Sequence, residues 1–508
     1  MTLADQLLIA PVVIPAVLAP LTLLAMPRRR ALAVGLSLAG CVAMLAAAVA
    51  LFGLVQDNAI RSYAVGGWPA PFGIVLVLDR LSAAMLVLSS ALALIVLLHA
   101  TLTAADRQGS HFHPLFHFQL LGLNGAFLTG DLFNLFVFFE VLLIASYGLM
   151  LHGQGAARLK AAVGYVVVNI VGSALFLIAV GVLYGVTGTL NMADLARRIA
   201  VSGAADEGML RIAGVLLMTI FALKAAIVPL YLWLPRTYVA TMPVVAALFA
   251  ILTKVGVYAM IRIVPLLFGQ SAGALAWIPS PWLFPAAVMT AVIGFAGVFV
   301  AQAVREQAAF ALVGSTGTLV LAVSCWTQAT MAAALFYLVH ATLAGAALFL
   351  VADAISRRRG QYSDAAVPSP RFSGQQATGL LFLASSIATV GLPPLSGFIG
   401  KLFILQTTAT TSNWIILWAT ILGTTLIGVV GFARTGSILF WKASPIGADP
   451  IDSPNRSNAD LIAPTILIGL LAALTIGAGW ATAQAQATAA QILAPQRYIT
   501  AVLGSVPR

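Results

Sequence analysis

Long apolar runs, cut by short polar or Pro/Gly-rich stretches, follow one another along the whole chain. A helix needs about 20 apolar residues to cross the hydrocarbon core of a bilayer. Runs of that kind predict fourteen spans, near 5–26, 31–54, 79–102, 114–129, 132–151, 160–187, 210–235, 242–266, 281–303, 307–325, 329–354, 376–407, 413–440 and 459–482. The link between the fourth and fifth is so short that these two must be antiparallel neighbours. The tail, 483–508, contains an Ala/Gln-rich stretch from Ala483 to Gln491 that reads as a helix lying along the membrane. The first run has no basic stretch before it, only Asp5. It is followed by Pro27 and three arginines rather than a small-residue cleavage site, so it reads as a retained span and not a signal peptide.

Composition agrees with the pattern. Of 508 residues 61% are hydrophobic and 8% charged, too little charge to cover a water-soluble globule of this length. Lipid removes that demand. The net charge of +11 does not imply nucleic acid, because the basic residues sit in short loops. With the Arg28–Arg30 loop in the cytoplasm, the loops on that side collect 15 Lys and Arg, including Arg107, Arg158, Arg357–Arg359 and Arg456. The other side collects 8, including Arg61, Arg80, Arg262 and Arg508. That bias places both termini outside. Cys41 and Cys325 stand alone in apolar runs, so neither a disulfide framework nor a metal site is expected.

Three lysines belong to no loop: Lys224, Lys254 and Lys401. A charge at bilayer depth costs about 2.5–3.5 kcal/mol on insertion scales, so such residues are expected to be functional. Glu140 joins them, set among aromatic and aliphatic residues in GDLFNLFVFFEVLLIASYGLM. A lone carboxylate there would take up a proton, and a lysine opposite would favour its charged form. The two tendencies make a switchable pair. His340, in ALFYLVHATLAGAALFL, is a candidate bridge that can pass a proton near neutral pH. A static ion pair and a hydrogen-bonded core histidine are the bland readings of the same residues. His99, His111, His113, His117 and His152 fall near loops or helix ends and offer at most a weak metal site.

Two spans should be broken. Lys224 precedes Pro229 and Pro235, and Lys401 follows Gly391-Leu392-Pro393-Pro394-Leu395-Ser396-Gly397. Interior proline removes a helix hydrogen bond, which membranes tolerate where the freed backbone lines a polar cavity. Such breaks in the seventh and twelfth spans suggest two five-helix repeats, in spans 4–8 and 9–13. The expected fold is all-α integral membrane, with about 14 transmembrane helices, two inverted five-helix repeats and broken helices 7 and 12. Its segments are 1–113, 114–266, 281–440 and 459–508.

These residues carry a family likeness. The chain resembles the D-type subunits of the Mrp-type multisubunit Na+/H+ antiporters, within the antiporter-like family that includes proton-pumping membrane subunits of respiratory complex I. The matching stretches are GGWPAPFGIVLVLDRLSA (66–83), FLTGDLFNLFVFFEVLLIASYGLM (127–150), YGVTGTLNMADLA (184–196), FALKAAIVPLYLWLPRTYVATMPVVAALFAILTKVGVYAMIR (221–262) and GLPPLSGFIGKLFIL (391–405). The resemblance implies a central hydrophilic axis. On it Glu140 is the acidic partner, Lys224 its lysine, Lys254 the central relay and Lys401 the terminal lysine. It also implies partners: the other subunits of a hetero-oligomeric complex, H+, and Na+, with K+ or Li+ as other candidates. The setting would be the bacterial cytoplasmic membrane. No cofactor and no covalent chemistry are expected. The alternative is a proton-pumping subunit of a complex I-like or hydrogenase redox complex. Two departures stand out. Family members usually carry a lysine or second polar group beside the histidine of the eleventh helix, where this chain has Gly345. The tenth helix lacks the usual serine-rich opening, reading Ala308-Ala309-Phe310-Ala311-Leu312-Val313-Gly314-Ser315-Thr316-Gly317. Both imply a relay between Lys254 and Lys401 that leans more on water, or is weaker.

Overall fold

The structure, a computed structural model, describes residues 3–26, 29–442 and 458–504. Pro27, Arg28, Arg456 and Arg508, used above for the span ends and the charge count, lie outside the described residues, as does the side chain of Asp5.

Helices α1 (Leu3–Ala25) and α2 (Arg30–Leu54) open the chain. A small antiparallel hairpin follows, β1 (Arg61–Ala64) on β2 (Val75–Leu78), with Arg61 opposite Leu78. Then come α3 (Arg80–Leu102), α4 (Phe112–Leu128), α5 (Leu132–Leu151), α6 (Ala156–Thr187), the short α7 (Met192–Ala200) and α8 (Ala204–Lys224). The middle of the chain forms α9 (Trp233–Ala240), α10 (Pro243–Phe249), α11 (Leu252–Leu267), α12 (Ser280–Val300), α13 (Val304–Val323) and α14 (Gln328–Arg359). The last third forms α15 (Gln375–Val390), α16 (Ser396–Thr408), α17 (Trp414–Gly436), α18 (Ala459–Ile476), α19 (Ala478–Ile492) and α20 (Pro495–Leu503).

Eleven helical stretches among the described residues are long and apolar enough to cross a membrane. The other three expected spans take different forms. The fourth is α4, only 17 residues long. The seventh is split between α8 and α9, and the twelfth between α15 and α16. The Ala/Gln-rich tail is helical as expected, in α19. Rather than lying free along the membrane it packs on α14 and α3.

Side-chain caps fix several helix starts. Asp79 accepts from the Ser82 amide at 2.9 Å and begins α3. Asp131 does the same for α5 through Asn134, and Thr327 for α14 through Thr330. Each satisfies an amide that the first turn leaves free. Proline alone does not break a helix here. Pro11, Pro15 and Pro20 lie inside a continuous α1. Pro15 cannot donate to the Pro11 carbonyl, and Asn124 Nδ2 of α4 donates there instead at 2.8 Å. The twelfth span does break, and Gly391 makes the break possible. It ends α15 at φ +77°, a left-handed cap that a side chain would oppose.

Burial runs from the centre outward. Every residue of α10 and α11 is buried, and α13 and α14 are nearly so. Helices α1, α2, α6, α17 and α18 instead expose much of their apolar surface. An apolar helix enclosed by other helices, ringed by helices with apolar outer faces, is the layering that a bilayer permits.

Candidate functional site

All three loop-less lysines point inward, and each meets a different kind of partner. Lys224 is the last residue of α8 and is 9% exposed. Its Nζ donates to Asn169 Oδ1 at 3.1 Å. Asn169 lies on α6 with Ser173 one turn further along, so both side chains share a face. The Ser173 hydroxyl donates to Glu140 Oε1. Glu140 and Lys224 are therefore within Coulombic reach but form no direct ion pair among the described residues. The α6 face stands between them. A cavity with about 20 Å³ open to the centre of a water molecule lies beside Lys224, walled by Tyr165, Asn169, Trp233, Leu252 and Val255. That is room for about one water.

Leu252 and Val255 flank Lys254 in sequence, so the same cavity reaches the start of α11. Lys254 is fully buried. Its Nζ contacts two hydroxyls, Thr253 Oγ1 at 3.2 Å and Thr316 Oγ1 of α13 at 3.3 Å. It forms no ion pair with a carboxylate among the described residues. An ammonium held only by hydroxyls in a dry interior lacks the compensation that buried charges need.

Thr316 follows Ser315, which lines a second cavity together with Leu312, Tyr337, His340, Gly345 and Thr389. This one has about 10 Å³ open to a water centre, the lower limit for one water. His340 is buried in α14, within Coulombic reach of both Lys254 and Lys401. Its Nδ1 lies 3.0 Å from Ser396 Oγ, at the start of α16. Gly397 lets α16 come this close, because a Cβ there would sit 2.8 Å from His340 Nε2. Lys401 donates to the Val390 carbonyl at 2.8 Å and to Thr425 Oγ1 at 2.7 Å, with its Nζ 5.0 Å from the centre of the Phe295 ring. Val390 is the residue whose carbonyl Pro394 would serve in a continuous helix, so the lysine replaces the missing proline donor.

The structure thus brings Lys254, His340 and Lys401 into one polar line and Glu140 with Lys224 into an adjoining pair bridged by α6. The charge-based reading had missed Asn169, Ser173, Thr316, Ser396 and Thr425. The i,i+4 spacing of Asn169 and Ser173 in an apolar run is the one signal that could have found two of them. It also misplaced Arg262, counted as a loop residue. Arg262 lies inside α11 and binds Asp79 through two bonds of 2.5 and 2.8 Å. Of the histidines, His99 lies in the last turn of α3 as expected, buried against Asp353 at 2.9 Å, whereas His117 sits within α4, away from its ends. No group of three or more metal-ligating side chains gathers among the described residues.

Comparison with known proteins bears on this geometry. The family described as NADH:quinone oxidoreductase/Mrp antiporter, TM, matches residues 129–428. A Rhizobium meliloti protein, named as a probable D-type K(+)/H(+) antiporter subunit, is 38% identical, over 99% of this chain and 98% of its own. A Bacillus subtilis protein, named as a D-type Na(+)/H(+) antiporter subunit, is 36% identical, over 88% of this chain and 90% of its own. A chain in the structure of the Mrp complex from Dietzia sp. DQ12-45-1b superposes with a TM-score of 0.87 at 28% identity, covering 99% of this chain and 100% of that one.

Proposed function

Because the chain belongs to the NADH:quinone oxidoreductase/Mrp antiporter membrane family, we propose that it is a proton-translocating subunit of a multisubunit monovalent cation/proton antiporter. The observation that carries this reading is Lys254, a fully buried amine with two threonine hydroxyls for company. A proton arriving there adds charge to the axis. The added charge repels Lys224, which Asn169 holds, and so alters its attraction to Glu140, which Ser173 holds; the pair thus tracks the proton on Lys254. His340 and a water beside Gly345 pass the proton to Lys401. The relatives' names divide between K+ and Na+, and either ion suits a path whose chemistry here is only that of protons.

The chain acts with partner subunits in the bacterial cytoplasmic membrane, both termini outward, crossing fourteen times. Residues 1–113 form a leading unit, 114–266 and 281–440 two inverted five-helix repeats, and 459–508 a closing helix and tail. Support for the repeats comes from the two breaks, each with a buried lysine beside it.

Everted vesicles carrying the whole complex test the reading. Added Na+ or K+ should collapse a pre-formed pH gradient with the wild type and fail to do so with equally expressed Glu140→Gln. If the cations do nothing and a redox substrate builds the gradient, a subunit of a redox pump is the better reading. If wild type and variant respond alike, Glu140 is a scaffold contact and the ion path runs elsewhere.

A further inference from the structure

A second line of titratable groups lies in α2 and α4, sharing no hydrogen bond with the relay. Asp106 sits in the turn between α3 and α4 and is 2% exposed. Its Oδ2 meets the Arg30 guanidinium and His113 Nε2, the latter at 3.1 Å. His113 Nδ1 lies 3.0 Å from Ser37 Oγ. The same Ser37 Oγ lies 2.7 Å from His117 Nε2. Ser37, His113 and His117 are all fully buried. The line ends at His117 Nδ1, which is buried and has no hydrogen-bond partner among the described residues.

The order of donors follows from chemistry. Ionised Asp106 can only accept, so neutral His113 carries its proton on Nε2. Its Nδ1 then accepts from the Ser37 hydroxyl, and Ser37 accepts from His117 Nε2–H. The one ring nitrogen left free in the line is His117 Nδ1; Asp106 Oδ1, at the other end, is also buried without a partner among the described residues. A proton bound there shifts the others by one place each. His117 Nε2–H passes to Ser37, the Ser37 proton passes to His113 Nδ1, and His113 becomes an imidazolium facing the Asp106 carboxylate. One proton enters, and the hydrogen bonds from His117 Nε2 through Ser37 and His113 to Asp106 are all kept.

We propose that His117, Ser37, His113 and Asp106 form a second proton-carrying line, which takes up one proton at His117 Nδ1 and holds its charge on His113 against Asp106. Its ligand is the proton itself, delivered by water. Burial pushes the Asp106 carboxyl up, but the His113 hydrogen bond and the Arg30 charge outweigh it and hold the group below the usual carboxylate range. Asp106 thus stays an acceptor and favours the charge arriving on His113. Gly40 lets Leu18 of α1 close over α2 beside this line: a Cβ there would lie 2.0 Å from Leu18 Cδ1 and at ordinary contact, 3.7 Å, from His117 Cε1.

Other charged or titratable groups around the line are engaged elsewhere. On α2, Cys41 is buried one turn beyond Ser37. His152 Nε2 binds the Ala105 carbonyl at 3.1 Å, and Arg158 binds the His152 carbonyl at 3.0 Å. From α3, His99 is held by Asp353. On α5, Glu140 turns to Ser173 and Tyr147 packs on Tyr165, while Asp131 caps the far end. On α11, Tyr258 donates to the Phe127 carbonyl at 2.6 Å. Residues 6–25 of α1 contain no titratable side chain.

The test is nitrogen-15 NMR of the purified whole complex with labelled histidine, this chain having six, assigned by loss of signal in His117→Gln and His113→Gln. On acidification, His113 should become an imidazolium and His117 should change from the Nε2–H to the Nδ1–H tautomer at one shared midpoint. Ser37→Ala should uncouple them: His117 keeps one tautomer, and the His113 midpoint moves by about one pH unit as its hydroxyl partner is lost. A wild-type His117 that never changes tautomer while His113 titrates overturns the proposal, even if Ser37→Ala fails to assemble. So does a Ser37→Ala complex in which both still change together. These readouts need no cation exchange, so they stand or fall apart from the antiporter reading.

Discussion

The two broken spans solve the same problem with opposite parts. In the first break the freed backbone is served by groups other than the lysine. Ile227 donates to the Ala222 carbonyl at 2.9 Å, and the Trp233 indole donates to the Leu223 carbonyl at 3.1 Å. Lys224 is left free to bind a side chain, Asn169. In the second break the lysine itself fills the gap, donating to the Val390 carbonyl. Lys224 is thus a lysine that can change partner without disturbing its helix. Lys401 is one whose bond holds the helix end in place. In the proposed relay, a gate suits the first and a fixed terminus the second. Lys254 lies between them, tied to neither by more than a threonine hydroxyl.

Loss of the middle lysine should therefore be the largest effect. Lys254→Ala removes the amine that the proposed relay places between Lys224 and Lys401, and cation/proton exchange by the assembled complex should fall at least about 100-fold, the scale for losing a general acid–base group. Exchange within about twofold of wild type would show that the halves communicate by another route.

Next in size is a contrast in stability. Lys401→Ala strands the buried Val390 carbonyl and should cost about 1–3 kcal/mol, the range for an unsatisfied buried acceptor. Lys224→Ala strands no backbone group and should cost less, although both should impair exchange. Thermal unfolding of the purified complex with each variant decides this. Equal losses would mean that both lysines brace their breaks and neither is free to gate.

The lysines were legible in the sequence because charge is so rare in these runs that each buried one stands out. Glu140 was legible for the same reason. The groups that join them were not. Thr316 shows why: its hydroxyl also donates to the Leu312 carbonyl of its own helix at 2.9 Å, the ordinary resting place of a threonine in a membrane helix. Nothing in the string separates that threonine from one that also meets a lysine on another helix. Arg262 failed for a reason of distance. Its partner Asp79 is 183 positions away, so an arginine near a span end read as a loop residue until the fold brought the two together. The breaks themselves were legible through Pro229 and Pro393-Pro394. Which group repairs each break was not, since that depends on neighbours from other helices.

A smaller effect sharpens the idea that α6 couples Glu140 to Lys224. Asn169→Ala removes the Lys224 acceptor and should lower exchange about tenfold, equivalent to about 1.4 kcal/mol, while Ser173→Ala should lower it less because Glu140 is half-exposed and can recruit water. The two residues share one face one turn apart, so their effects should not add. A double-mutant cycle should show a coupling of about 0.5–3 kcal/mol, as expected of residues in one network.

The smallest effect isolates the backbone repair of the first break. Trp233→Phe keeps the ring stacked near Tyr165, whose centroid lies 5.4 Å from the indole. It deletes only the donor to the Leu223 carbonyl. The expected cost is about 1 kcal/mol in stability, the net value of one hydrogen bond. Exchange should change by less than in Asn169→Ala, since Lys224 keeps its partner. If Trp233→Phe instead abolishes exchange with stability intact, the indole is part of the proton path and not a brace. The cavity beside Lys224, which Trp233 walls, would then be the place where water meets the lysine.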